Sequence, residues 1–121
     1  MNAVTIGKHV ANFDSRAING VTTVVAPSAN PSGLVIQTGN ICPSNESMSL
    51  YAGPIAPTDG GDLRVALIFS ANGNGTPGSN SEVVLPYPLR IPAGWGLWVA
   101  TSATTATLPL AVMSLTYDLL A

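Results

Sequence analysis

Charge is scarce in this sequence: Asp, Glu, Lys and Arg make up 8% of its 121 residues, where about a quarter is usual in a soluble domain. Four basic residues scattered among six acidic ones cannot form the basic stripe that a phosphate backbone requires, so nucleic acid is not an expected partner. A single cysteine, Cys42, cannot close an internal disulfide, which removes the stapled scaffold of a small secreted protein. A single histidine, His9, leaves little from which to build a hydrolase triad, and no Gly-x-Ser-x-Gly elbow is present. One His and one Cys also fall short of a tetrahedral zinc site. The opening "MNAVTIGKHVANF" lacks the continuous apolar stretch of a signal peptide. No run approaches the ~18–20 apolar residues that cross a bilayer. Neither an enzyme, nor a cofactor, nor a membrane partner is expected.

What the chain does contain is 46% hydrophobic residues, with ten prolines and twelve glycines spread evenly along it. That spacing leaves no room for long helices. Period-two alternation takes their place. In "LRVALIF", Leu63, Val65, Leu67 and Phe69 share one face; in "LAVMSLTYDLL", Ala111, Met113, Leu115, Tyr117 and Leu119 do. Further strand-like runs cover 21–26, 33–39, 47–53, 82–87 and 96–102, separated by turn-rich segments such as "PSANPSG", "GNICPSN" and "PIAPTDGGD". Short strands at this spacing predict an all-β, single-domain antiparallel β-sandwich, jelly-roll-like, over residues 21–121. Residues 1–20 have two readings. They are an N-terminal arm or docking segment, extended or with a helical turn near Asp14, or they are simply the first strand.

Three local features bear on function. "SANGNGTPGSNSE" carries Gly73, Gly75 and Gly78 at the spacing of a dinucleotide fingerprint, but Pro77 and the proline-rich "EVVLPYPLRIP" keep a helix from following. A glycine loop that opens no helix cannot cradle a pyrophosphate, so the segment reads as a long hairpin loop. In "PTDGGDLR", Asp59 and Asp62 are the candidate calcium ligands, with a solvated turn as the alternative, since calcium needs about six to eight oxygens. Trp95 and Trp98 stand three apart, which on a strand would turn one inward and one outward. Gly94 and Gly96 flank Trp95, so Trp95 is the candidate for the exposed ring.

An apolar fraction this high with a net charge of −2 gives little repulsion between copies, and predicts a homo-oligomer, dimer or trimer, or a larger assembly. The stretch "YPLRIPAGWGLWVATSATTATLPLAVMSLTYDLL", residues 87–120, resembles the closing strands of small jelly-roll proteins of tailed bacteriophage virions. The resemblance implies a capsid decoration or cement protein, or a head or tail fibre component. It also implies a viral capsid or tail protein as partner, with synthesis in the host cytoplasm. On that reading Val4, Ile6, Val10 and Phe13 are the candidate docking contacts, with Tyr87 and Trp95 at a subunit interface. The rival reading is a carbohydrate- or receptor-binding module of a phage tail or fibre, with Trp95 as stacking platform and Asn72, Asn74 or Asp59 as polar contacts.

Overall fold

Alternation of apolar with small polar residues organises the chain into strands, and prolines and glycines divide them. The computed structural model describes residues 3, 5–14, 21–43, 47–58, 62, 64–72, 83–101 and 111–121. Within them run β1 (His9–Asp14), β2 (Val21–Val25), β3 (Leu34–Pro43), β4 (Ser47–Gly53), β5 (Ala66–Asn72), β6 (Val83–Val84), β7 (Leu89–Ile91), β8 (Gly96–Thr101) and β9 (Ala111–Leu119). A single 3-10 turn, Pro27–Ala29, follows β2.

The pairing is that of one long hairpin rolled up. β1 pairs with β9, β2 with β8, β3 with β6 and β7, and β4 with β5, all antiparallel. Rolling then brings β3 against β9 and β4 against β8. The result is two sheets, ordered β1-β9-β3-β6 with β7 also on β3, and β2-β8-β4-β5. With β6 and β7 taken as one strand interrupted by Pro86 and Pro88, this is the order of an eight-stranded jelly roll. Proline has no N–H to give to β3, so the strand breaks there.

The core fills the space between the sheets. Leu34, Ile36, Ile41, Met113 and Leu115 from one sheet meet Met48, Leu50, Ala52, Leu97 and Val99 from the other. The second sheet also buries its outer face. Tyr51, Ala100 and Val65 cluster there, and Trp98 is only 3% exposed. Close approach of side chain to backbone makes this possible. A Cβ on Gly96 would lie 2.6 Å from Cη2 of Trp98, and one on Gly53 would lie 2.9 Å from Cγ1 of Val65. The indole therefore lies down over one glycine, and the β4–β5 connection folds back over the other.

The sandwich expected from sequence is the observed architecture, and several details differ. The segment from His9 to Asp14 is the edge strand of the first sheet, in full register with β9, and not a free arm; a helical turn starting at Asp14 or Ser15 would fall on residues 15–20, outside the described residues. Just before β1, the backbone N–H of Gly7 donates to Oγ1 of Thr116 at 3.0 Å and that of Lys8 to Oδ1 of Asp118 at 2.8 Å. Both bonds fix the chain before the strand begins. β3 runs on through Cys42 to Pro43, where a turn was expected, because β9 pairs with it along that whole length. β5 and β6 lie in different sheets, so the two strands do not form a hairpin. The glycines between them, Gly73, Gly75 and Gly78, lie outside the described residues.

Candidate functional site

The interrupted strand shapes the surface. Leu85 stays attached to β3, its N–H donating to the carbonyl of Gly39 at 2.7 Å. Pro86, Tyr87 and Pro88 then lift away before β7 rejoins β3 at Leu89. The segment stands as a ridge between two grooves. On one side, an apolar groove of about 360 Å³ runs to the edge strand β5 and is lined by Leu67, Ile68, Phe69, Val83 and Leu85. On the other, a groove of about 400 Å³ opens on the outer face of the first sheet, where Gln37, Thr38, Asn40 and Ser114 form its floor. Tyr87 belongs to both walls and is 63% exposed.

The two grooves differ in chemistry because they meet different strand faces. A bulge in β5 places Leu67 opposite Tyr51 and Phe69 opposite Leu50. Leu67 therefore points outward and stands exposed beside the similarly exposed Val84. The outer face of the first sheet is instead a lattice of hydroxyl and amide groups. Oγ1 of Thr38 and of Thr116 lie 2.6 Å apart, and Ser114 donates to Oδ1 of Asn12. Nε2 of Gln37 donates to Oδ2 of Asp118 at 3.2 Å. The N–H of Lys8, then the Gln37 amide, hold the Asp118 carboxyl below its ordinary range against the opposing pull of burial.

The sequence-derived candidates fall out as follows. Asp62 accepts hydrogen bonds from both the side chain and the N–H of Arg64 and from the N–H and hydroxyl of Thr58. The Arg64 side-chain bonds, then its N–H, then that of Thr58, hold the Asp62 carboxyl far below the usual carboxylate range. That carboxylate clasps its own loop; Asp59, the other candidate calcium ligand, lies outside the described residues. Among the described residues no cluster of His, Cys, Asp or Glu could hold a metal ion. Val4 and Asn74 also lie outside them, as does the side chain of Asn72.

Val10 and Phe13 take opposite faces of β1: Val10 is exposed, whereas Phe13 is half-buried against the core. Phe13 thus packs against the core with part of its ring. Ile6 is exposed. Trp95 precedes β8 and packs against the core, so spacing from Trp98 within a strand does not apply to it. The exposed aromatic is Tyr87.

The class that fold and surface define is a jelly roll with an apolar groove and a polar groove either side of one proline-framed ridge. No protein-family profile matches the chain, and searches of curated proteins and of solved structures return no match to it.

Proposed function

We propose that this chain is a structural subunit of a virus particle, a capsid decoration or cement protein that self-associates and stabilises the shell. The carrying observation is the apolar groove at the β5 edge, with Leu67, Val84 and Tyr87 all more than half exposed around it. Few charges exist anywhere on the chain to keep such faces apart. Strand edges add to the argument. β6 and β7 are short and interrupted, and β2 is short and bulged, both devices that discourage pairing between molecules. β5 has seven residues and no charge or proline, with its bulge as the sole such device among the described residues. A stable interface needs about 800 Å² from each partner, roughly one eighth of the 6633 Å² surface of the chain. The resemblance of residues 87–120 to virion jelly rolls supports the particle over other assemblies, and the fold itself is widespread among capsid proteins.

Sedimentation across a range of concentrations tests the association. A dimer or trimer that Leu67→Glu or Val84→Glu converts to monomer is the expected result, and a monomer at all concentrations overturns it. Copurification with intact virus particles on a density gradient then tests the assignment to a shell.

A further inference from the structure

We propose that the polar groove beside Tyr87 is a binding site for a neutral saccharide. The groove has the combination that sugar rings require: an exposed aromatic face for the apolar C–H side of the ring, and neutral hydrogen-bonding groups for its hydroxyls. Its floor holds Gln37, Thr38, Asn40 and Ser114, and among the described residues no Asp, Glu, Lys, Arg or His lines it. A phosphate, a carboxylate or a metal ion would find no countercharge among these groups, whereas a polyhydroxylated neutral ligand needs none. The volume, about 400 Å³, lies in the range of small-ligand pockets, ~300–1,000 Å³.

Two groups in the groove are uncommitted. Neither the Asn40 amide nor the Tyr87 hydroxyl makes a hydrogen bond among the described residues. Asn40 is half-buried and offers a donor and an acceptor side by side. Nε2 of Gln37 is held by Asp118, which fixes the amide and leaves its carbonyl oxygen for a ligand hydroxyl. The site is also built stiff. Its floor lies on paired strands β3 and β9, and its wall is pinned by the Leu85–Gly39 bond and stiffened by Pro86 and Pro88, which restrict the backbone. Little ordering is left to oppose binding. This inference does not rest on the proposed self-association: Val84 and Tyr87 border both grooves, and Leu67 lines only the apolar one.

The test is an array carrying neutral oligosaccharides of glycoproteins and, separately, neutral bacterial surface polysaccharides, followed by an amide NMR titration with the best short oligosaccharide. Expected are shifts centred on Gln37, Thr38, Asn40, Ser114 and Tyr87, and a loss of affinity of about tenfold or more in Tyr87→Ala and in Asn40→Ala. Both variants should keep the wild-type melting temperature. Leu67→Glu should bind sugar normally, which separates this site from the association surface. The printed class that binds identifies the source of the glycan. No binding by ~10 mM sugar, or binding unchanged in both variants, overturns the proposal.

Discussion

Nδ2 of Asn30 donates to the carbonyl oxygen of Trp95 and to that of Pro92, each at 2.9 Å. Asn30 is fully buried, and its backbone carbonyl accepts from the N–H of Gly94 at 2.7 Å. One side chain thereby ties the turn after β2 to the turn that launches β8, and Gly94 takes the positive φ of +80° that this turn requires. Asn30→Ala takes the side-chain donor from the Trp95 carbonyl and leaves that of Pro92 with only its 3.2 Å bond from the N–H of Trp95, and should cost about 1–3 kcal/mol in urea unfolding. Asn30→Asp should fare no better, because both partners are carbonyls and a carboxylate has nothing to donate.

Gly96→Ala tests the cover over the second sheet. The new methyl would stand 2.6 Å from the Trp98 ring and 2.7 Å from the carbonyl oxygen of Val25, and the backbone oxygen cannot swing aside. We expect a loss of about 1–3 kcal/mol, typical of overpacking. Because the indole must shift, the change should also appear as a red shift and altered intensity in tryptophan emission.

Alternation makes much of this fold legible in the sequence. In β9, Met113 and Leu115 are buried and Val112 is exposed, as the period-two pattern of "LAVMSLTYDLL" requires. The same reasoning fails in "LRVALIF". A bulge between the partners of Leu50 and Tyr51 sends Leu67 outward and Phe69 inward, although the pattern puts them on one face. A bulge is a property of two paired strands, so one strand's sequence does not carry it. The ridge was half legible: Pro86 and Pro88 announce an interruption, but the grooves beside it depend on which strands β6 and β7 pair with. Trp95 was misplaced for a related reason, since its position before β8 is set by Asn30, far away in sequence.

The edge strand β1 yields a paired comparison. Phe13 packs on the core from the inner face, while Val10 is 63% exposed on the outer one. Phe13→Ala should lose about 2–3 kcal/mol, and Val10→Ala should stay within about 0.5 kcal/mol. Deleting residues 1–13 would strip β9 of its partner along one whole side, so thermal melting should show a marked drop. A deletion variant with wild-type stability would mean that these residues do not contribute a strand in solution.

Stability should fall in acid through two carboxylates with depressed folded-state pKa values. Asp118 is held by the N–H of Lys8 and by Gln37, and Asp62 by Arg64 and Thr58. A carboxyl whose pKa is lower in the folded state contributes fully above its unfolded value, near 3.9. The contribution is lost as pH falls through the folded value. The expected profile is flat from neutrality to about pH 5 and declines below pH 4. Asp118→Asn keeps an acceptor for Lys8 and removes the titrating charge, so it should lower stability at pH 7 and flatten the acid limb. Urea midpoints at pH 7, 4 and 2.5 would check both effects. An unchanged acid slope in Asp118→Asn would mean that the tie between β1 and β9 at Lys8 contributes nothing through that charge.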